Sequence, residues 1–335
     1  MLSQSMHHNL PESFPWLVAD IGGSNARFGL ILQNDMLVQY VRTIPVVTHP
    51  DPVSAANAYL SEIATLLGAQ FQAPRKAAFA VATAVAGDKV EFTNSHWSFS
   101  RAAVQANLKL DAFLVLNDFE ALALSLPRLR SSQLKPHGQL PQAKGMLAVI
   151  GPGTGLGVGA VIETSRGWVA LPGEGGHATI APANDFESAV LAQVRLQHQH
   201  VSAERLLSGI GLPTLHAAIA HVRGAAGDPL TPEQIVERGM NSSDEICAET
   251  IDTFCALLGG FAGNVALTLG ARGGIYIGGG IVPRLGDRFF ASSFRERFEA
   301  KGRLQSYLKD IPTALITDTL AALTGAALAI EQLSE

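Results

Sequence analysis

The stretch Asp20-Ile-Gly-Gly-Ser-Asn-Ala-Arg27 decides the fold, because its glycine turn separates two apolar runs at residues 15–19 and 28–32. The stretch Gly151-Pro-Gly-Thr-Gly-Leu-Gly157 repeats this arrangement between two further apolar runs. Glycine permits close approach of a ligand and positive φ, and successive free N–H groups in a tight turn form an anion-binding nest. The two matched loops predict two similar domains that hold a polyphosphate in the cleft between them.

The composition is that of a folded chain with a large apolar core. Apolar residues make up 47% of the 335 residues and charged residues 16%, and a chain of this length has about two domains. The net charge is −5, and no cluster of lysine and arginine stands out. We therefore expect no nucleic-acid partner and no membrane surface.

The two cysteines, Cys247 and Cys255, are eight residues apart. On one helix they are separated by about 12 Å along the axis, which is too far for a disulfide. We interpret them as free thiols in a reducing cytoplasm. The residues before Phe14 have no assigned role, and every apolar stretch is interrupted before the length of about 18 residues that suggests a membrane span.

The first part of the chain predicts an RNase H-like mixed α/β layer. Its pattern predicts three strands over 15–47, a helix from Asp51 to Gly68, strands at 77–84, 89–93 and 113–116, and helices at 100–108 and 119–126. The polar segment 127–143 is interpreted as the connection between domains. For the rest we predict strands within 146–171 and 273–278, and helices at 185–198, 202–207, 212–222, 231–238, 244–269 and 321–332.

Asp20 and Thr154 are the candidate side chains for binding metal and phosphate at the two loops. Asp20 ends a buried strand before a glycine nest, where a carboxylate holds Mg²⁺ directly or through water; alternatively it caps its own turn. The Thr154 hydroxyl and the N–H groups of Gly153 and Gly155 suit phosphate, although an ordinary glycine hairpin is the alternative. The loop lacks a P-loop lysine, and no helix follows it, which argues against P-loop and Rossmann folds.

Asp118 follows a buried parallel strand, the usual place for ligand contacts. A carboxylate there can accept a proton from a substrate hydroxyl that attacks phosphorus. The alternative is that Asn117 and Asp118 cap the next helix, and both interpretations are compatible.

Two further groups suggest a sugar and a nucleotide. Glu174, His177 and Glu204 suit a polyol, whose hydroxyls donate to carboxylates, whereas as metal ligands they are too few on one loop. Taken individually, each of these three residues is explained more simply by a structural role. The glycines Gly278, Gly279 and Gly280 allow an adenine and ribose to lie against the backbone, or allow a close helix–strand crossing.

Taken together, six motifs resemble the proteobacterial-type glucokinases, in the hexokinase branch of the actin-like ATPase superfamily. The resemblance runs from about residue 15 to the C-terminus. It rests on Asp20-x-Gly-Gly-Ser-Asn-x-Arg27, Asn117-Asp118-Phe119, Gly153-Thr-Gly-Leu-Gly157, Leu171-Pro-Gly-Glu-Gly-Gly-His177, Ser202-Ala-Glu-Arg-Leu-Leu-Ser-Gly209 and Gly278-Gly-Gly-Ile-Val-Pro-Arg284.

The resemblance implies ATP- and Mg²⁺-dependent phosphorylation of the C6 hydroxyl of D-glucose, the first step of glycolysis. It implies that Asp118 is the base and that Asn117, Glu174, His177 and Glu204 also contact the sugar. It places phosphates at two loops and adenosine near a third, with the nucleotide-binding residues Gly22, Gly23, Ser24, Asn25, Gly153, Thr154, Gly155, Gly278, Gly279 and Gly280.

The resemblance also implies a cytoplasmic homodimer with two RNase H-like domains flanking an interdomain cleft. The small domain then comprises residues 14–127 and 318–333, and the large domain 128–317. Ser24 replaces the usual threonine but keeps the hydroxyl, and the cysteine-rich zinc motif of the repressor, open-reading-frame and kinase (ROK) group is absent. Three alternatives remain: a kinase for another hexose, a sugar or nucleotide sensor without activity, and an ATPase with a conformational output.

Overall fold

The structure is a computed structural model that describes residues 14–92, 94–225 and 229–333. The N-terminal extension before Phe14 and Thr93, the end of a predicted strand, lie outside the described residues. The chain divides into two compact units. Unit 1 comprises the residues up to Ser125 and those from Thr319 onward, and unit 2 comprises Leu126–Asp318.

The strands and helices follow one another along the chain with short connections. The strands are β1 Trp16–Ile21, β2 Asn25–Ile31, β3 Val38–Pro45, β4 Lys76–Val81, β5 Lys89–Glu91, β6 Ser98–Ser100, β7 Ala112–Asn117, β8 Leu134–Pro136, β9 Met146–Pro152, β10 Leu156–Thr164, β11 Gly167–Leu171, β12 Gly274–Ile277 and β13 Thr313–Ile316. The helices are α1 Pro52–Leu67, α2 Arg101–Asn107, α3 Asp118–Ser125, α4 Asp185–Arg195, α5 Leu212–Arg223, α6 Pro232–Met240, α7 Glu245–Leu269, α8 Val282–Ala291, α9 Phe294–Glu299, α10 Gln305–Lys309 and α11 Ala321–Gln332.

Unit 1 is built on a five-stranded sheet in the order β3-β2-β1-β4-β7. β1, β2 and β3 are antiparallel neighbours, whereas β1, β4 and β7 run parallel. All six residues of β4 are buried, as predicted for a strand covered on both faces. β5 pairs with β6 in a separate two-stranded sheet, so it is not an edge strand of the large sheet.

Local capping explains where the first helices of unit 1 begin. The carboxylate of Asp51 accepts a hydrogen bond from the Ser54 N–H at 2.7 Å, and the Ser100 hydroxyl accepts one from the Ala103 N–H at 3.1 Å. Each bond satisfies a donor in the first turn that has no partner inside the helix. The predicted starts of α1 and α2 are confirmed.

The C-terminal helix α11 returns to unit 1 and packs against α3. The two helices cross so closely that a Cβ atom on Gly325 would lie 1.6 Å from the Ala121 carbonyl oxygen. A glycine is therefore required at this crossing. Since α3 begins at Asp118, a shift of α3 at this crossing would also move that residue.

Unit 2 repeats the topology of unit 1 with one extra strand. Its six-stranded sheet has the order β11-β10-β9-β12-β13-β8. β9, β10 and β11 are antiparallel neighbours, and β9, β12 and β13 run parallel, which matches the five strands of unit 1 one for one. The repeated strand, glycine-turn and strand arrangement predicted from the sequence is confirmed.

The segment 127–143 is more than a connection between domains, so that prediction was wrong in part. It contains β8, which pairs antiparallel with β13 through Leu134 and Ile316 at the edge of the large sheet. The sequence patterns did not predict β13 or the helices α8, α9 and α10. β13, α9 and α10 are too short to give a clear periodic pattern. α8 is longer, but Gly286 inside it has a non-helical backbone.

Residues 202–207 form turns, and the helix predicted there was wrong. The Ala203 N–H donates to the Ala178 carbonyl, and the Glu204 N–H donates to the Gly176 carbonyl, both at 2.9 Å. These bonds tie the segment to residues 176–178, and the Leu206 and Leu207 N–H groups both donate to the Ala203 carbonyl, so a turn forms in place of a regular helical ladder.

The long helix α7 lies in the core of unit 2. Asp244 caps it by accepting from the Cys247 N–H at 3.0 Å, and Cys247 and Cys255 are both free and buried. Among the described residues, α7 has the length and composition of a membrane-crossing helix, but 78% of its apolar window is buried inside the protein. Such burial is characteristic of a core helix.

Candidate functional site

The first glycine loop joins β1 to β2 through a turn of three residues. The Gly22 N–H donates to the Asn25 carbonyl at 2.9 Å. A Cβ atom on Gly23 would lie 2.6 Å from the Asn94 carbonyl oxygen, so a neighbouring segment of backbone requires glycine there. Neither Gly22 nor Gly23 has a positive φ. Close approach, and not left-handed backbone, is the reason for these glycines.

Asp20 precedes this loop at the end of β1. Burial raises the pKa of its carboxyl group, and the charge of Arg27, its partner across the strand pair, opposes part of that rise. Among the described residues no group of three or more histidine, cysteine, aspartate or glutamate side chains could hold a metal ion, so Asp20 would be a single protein ligand. The carboxylate is thus available to a hard cation whose other ligands are water and phosphate oxygens.

Asn117 and Asp118 stand at the same edge of the sheet as Asp20. β1, β4 and β7 are parallel, and their register aligns Asp20 with Ala80 and Ala80 with Leu116. Neighbouring strands are about 4.8 Å apart, which separates the ends of β1 and β7 by two such steps. One edge of unit 1 therefore carries both carboxylates.

Hydrogen bonds fix the Asn117–Asp118 corner. The Asn117 side chain donates to the Thr83 carbonyl at 3.2 Å and accepts from the Phe119 N–H at 2.9 Å. The Asp118 carboxylate lies 3.0 Å from the same Phe119 N–H. Both residues take part in starting α3, as the capping interpretation expected. Asn117 can perform this task without Asp118, so the capping role does not exclude a chemical role for the carboxylate.

The second glycine loop joins β9 to β10 in unit 2 through a turn with the same number of residues. The Gly153 N–H donates to the Gly155 carbonyl at 2.8 Å, and Thr154 between them is exposed. Gly153 and Gly155 also lack a positive φ. The exposed hydroxyl and the surrounding backbone provide polar groups of the kind that bind phosphate.

The third glycine loop packs against the second. The Gly278 N–H donates to the Ile150 carbonyl at 2.8 Å, and the Ile281 N–H donates to the Pro152 carbonyl at 3.2 Å. Gly279 has a φ of 78°, and a Cβ atom there would lie 2.3 Å from the Pro152 oxygen. Gly280 faces open space. The two loops therefore form one backbone surface at the ends of parallel strands β9 and β12.

Glu174, His177 and Glu204 are brought together in unit 2. The His177 Nε2 atom lies 4.0 Å from the Glu174 Oε2 atom, and the His177 Nδ1 atom lies 3.9 Å from the Glu204 Oε1 atom. The exposed fractions of the Glu174 and His177 side chains are 65% and 60%, against 27% for Glu204. Two accessible polar side chains beside a partly buried carboxylate can receive several hydroxyl groups of one ligand.

A segment that was not among the candidate residues borders the second glycine loop. The Gly209 N–H donates to the Gly153 carbonyl at 2.8 Å, and the Ile210 N–H donates to the Thr154 carbonyl at 3.3 Å. The Ile210 side chain is exposed. The sequence offered two signals, the motif that ends at Gly209 and the glycines on either side of Ile210, but neither shows that residues 209–210 contact a loop more than 50 positions earlier.

The fold is similar to that of solved glucokinases. A chain solved as a ROK-family glucokinase from Streptomyces griseus, in complex with glucose and AMPPNP, has a TM-score of 0.60 at 18% identity; the match covers 94% of this chain and 99% of that one. At this identity the similarity concerns the fold alone. A crystal structure of glucokinase from an Antarctic psychrotroph has a TM-score of 0.86 at 35% identity and covers 95% and 99% of the two chains.

The sequence comparisons identify the family. The family model described as Glucokinase matches residues 17–333. A glucokinase of Chromobacterium violaceum is 48% identical over 323 residues, which are 96% of this chain and 91% of that protein. The chain belongs to the glucokinase family.

Proposed function

We propose that this chain transfers the γ-phosphoryl group of ATP to the C6 hydroxyl of D-glucose. The observation that carries the proposal is the cluster of Glu174, His177 and Glu204 directly beside the second glycine loop in unit 2. A sugar kinase needs polyol acceptors adjacent to groups that bind phosphate, because the transferred group must reach a hydroxyl held in line with it. Membership of the glucokinase family agrees with this activity.

Asp118 is proposed as the general base. Its place at the end of a parallel strand, on the edge that also carries Asp20, suits a carboxylate that meets a substrate hydroxyl. Asn117, Glu174, His177 and Glu204 are proposed to hold the other hydroxyl groups of the sugar. Their amide, carboxylate and imidazole groups offer acceptors on the sugar and fix its orientation.

Asp20 is proposed to hold Mg²⁺ through water, next to the first loop. When bound, the ion neutralises charge on the phosphate oxygens. Gly22, Gly23, Ser24 and Asn25 are proposed to contact these oxygens. The Asp20 carboxylate suits the task because it ends β1 directly before the first loop and is partly buried there.

The other contacts of the nucleotide are proposed to come from the remaining two loops. Gly153, Thr154 and Gly155 are proposed to bind phosphate, and Gly278, Gly279 and Gly280 are proposed to lie against the adenosine. The bonds that join these loops support placing one ligand across both, since they form one surface within unit 2. Gly280 leaves space above the backbone for a flat base.

The domain organisation and the assembly are also proposed. We take the two units to act as the RNase H-like domains of an actin-like ATPase, with functional bounds of 14–127 plus 318–333 and 128–317. The common strand order of the two sheets supports this. The working form is proposed to be a cytoplasmic homodimer. Light scattering of the purified protein tests whether it is a dimer.

The test is ADP release from Mg-ATP, with and without D-glucose, followed by a panel of fructose, mannose and N-acetylated hexosamines. Glucose-dependent release that exceeds release with every other sugar supports the proposal. Preference for another hexose would reassign the substrate within the same chemistry. Sugar-independent turnover would favour an ATPase with a conformational output, and sugar binding without turnover would favour a sensor.

A further inference from the structure

Glu204 uses its two carboxylate oxygens on two different loops. The Oε2 atom accepts a hydrogen bond from the Leu156 N–H at 2.9 Å, directly after the second glycine loop. The Oε1 atom lies 3.9 Å from the His177 Nδ1 atom, on the side of the proposed sugar site. One side chain therefore contacts both the proposed phosphate loop and the proposed sugar cluster.

The backbone of Glu204 is held on both sides. Its N–H donates to the Gly176 carbonyl at 2.9 Å, and its carbonyl accepts from the Ser208 hydroxyl at 2.7 Å. A Cβ atom on Gly211 would lie 2.8 Å from the same carbonyl oxygen. Since the main chain has little freedom, a displacement of the carboxylate has to be taken up by its own torsions or by the loops it contacts.

The carboxylate packs directly against Gly155 of the second glycine loop. A Cβ atom on Gly155 would lie 2.5 Å from the Glu204 Oε2 atom, whereas a Cβ atom on Gly153 meets nothing within 4 Å. The conformation at residues 155–156 and the position of the carboxylate are therefore mutually dependent. Gly153, two residues earlier on the same turn, provides a natural control for this dependence.

We propose that Glu204 is a positioning residue that couples occupancy of the sugar site to the conformation of the second glycine loop. The inference rests on the proposed function. A sugar hydroxyl bound at Oε1 holds the carboxylate in place, and the bond from Oε2 to the Leu156 N–H then holds residues 153–156 ready for phosphate. Linkage makes the effect reciprocal, so nucleotide must raise sugar affinity by the same factor.

The test measures binding by calorimetry, so that turnover is not needed. The dissociation constant of Mg-ADP is determined with and without saturating glucose, and that of glucose with and without Mg-ADP. We expect each ligand to tighten the other by about 5-fold or more, the lower end of typical coupling between sites. If both ligands bind the wild-type protein but neither changes the dissociation constant of the other, the coupling is overturned and the proposed function is not.

The decisive variant is Glu204→Gln, because an amide has one acceptor oxygen where a carboxylate has two. With its oxygen on the Leu156 N–H, the amide turns an NH2 donor toward the sugar and can no longer accept from a sugar hydroxyl there. We expect weaker glucose binding together with loss of the coupling factor. Glu174→Gln is the matched control, since the same chemical change affects an exposed carboxylate of the same cluster; it should weaken glucose binding and keep the coupling. Wild-type coupling in Glu204→Gln would show that Glu204 is a sugar ligand alone.

A second pair of variants changes the second glycine loop and leaves Glu204 in place. Gly155→Ala introduces a methyl group that collides with Oε2, so we expect the glucose dissociation constant, measured without nucleotide, to rise several-fold. Gly153→Ala should leave that constant unchanged. Equal glucose binding by the two variants would contradict the proposal even if Glu204→Gln fails to fold. Absence of glucose binding in the wild-type protein would overturn the proposed function and the coupling with it.

Discussion

Arg297 donates two hydrogen bonds to the carboxylate of Glu187, from Nη1 at 2.5 Å and from Nη2 at 3.0 Å. The Glu187 side chain is only 3% exposed and also accepts from the Ala183 N–H at 2.7 Å. The pair joins α9 to the first turn of α4. Both charged side chains are largely removed from water, so removing either one would leave the other as an unpaired buried charge.

Replacing Arg297 with methionine should destabilise unit 2. The change leaves a buried carboxylate without its partner, which typically lowers the free energy of unfolding by about 3–5 kcal/mol. Urea denaturation measures this loss. The double variant Glu187→Gln, Arg297→Met should recover part of it. The exposed pair of Arg75 and Asp111 is the control, and Arg75→Met should change stability much less, because solvent screens that pair. Equal losses for the two arginines would contradict the argument.

Gly325→Ala should destabilise unit 1 and lower activity. The new methyl group would lie 1.6 Å from the Ala121 carbonyl oxygen, and overpacking of this kind costs at least about 1–3 kcal/mol. Since α3 begins at Asp118, its displacement should also reduce kcat. Thermal denaturation and steady-state kinetics report the two effects.

Gly260→Ala is the matched control for that substitution. Gly260 lies inside α7, and the nearest contact of its new Cβ atom is Arg297 Nη2 at 3.9 Å, an ordinary distance. Replacing a helical glycine by alanine should raise the free energy of unfolding by about 0.5–1 kcal/mol. If both substitutions have the same sign, the close crossing of α11 and α3 does not govern the stability of unit 1.

Asp118→Ala should lower kcat far more than it changes KM for glucose. A general base typically contributes about 10²–10⁴-fold, and loss of an interaction made mainly in the transition state appears in kcat. Asp118→Asn keeps an oxygen that can accept from the Phe119 N–H but cannot take a proton. Both variants should therefore be slow. A near-normal kcat for Asp118→Asn would leave the residue with a capping role only.

The free energy of unfolding of unit 2 should fall as the pH drops below the pKa that the His137 imidazole has in the unfolded chain. His137 packs among Phe289, Phe290 and Phe294, with ring centroids 5.1, 4.6 and 5.3 Å away. Burial, together with the charge of Arg295, lowers the pKa of His137 from 6.5 to about 4. The folded state thus keeps the ring neutral while the unfolded chain binds a proton.

The sign of this effect follows from linkage. The stabilisation is fully present above pH 6.5 and is lost as the pH falls toward about 4. Carboxylates titrate over part of the same range, so the comparison with His137→Phe isolates the histidine. Urea denaturation between pH 4.5 and 7.5 should show a steeper loss for the wild-type protein. Parallel pH profiles would mean that the imidazole is accessible to protons in the folded state.

Much of the fold was accessible from local patterns. The turn before Asn25, the cap at Asp51, the cap at Thr231 and the start of α7 after Asp244 all appear where the sequence places them. Each is set by residues within a few positions, either through a capping side chain or through glycine in a tight turn. The predicted bounds of α11 also match the structure, although no side chain caps its first turn.

The sequence alone located the two glycine loops, the strands on either side of them and the residue types of the candidate site, because these follow from local turn chemistry and the spacing of apolar residues. Only the tertiary structure showed that residues 202–207 are not a helix, that β8 joins the large sheet, and that Glu204 contacts Leu156. In each case the deciding hydrogen bond comes from a segment distant in the chain. Such bonds compete with local ones, and their outcome depends on how the whole unit packs.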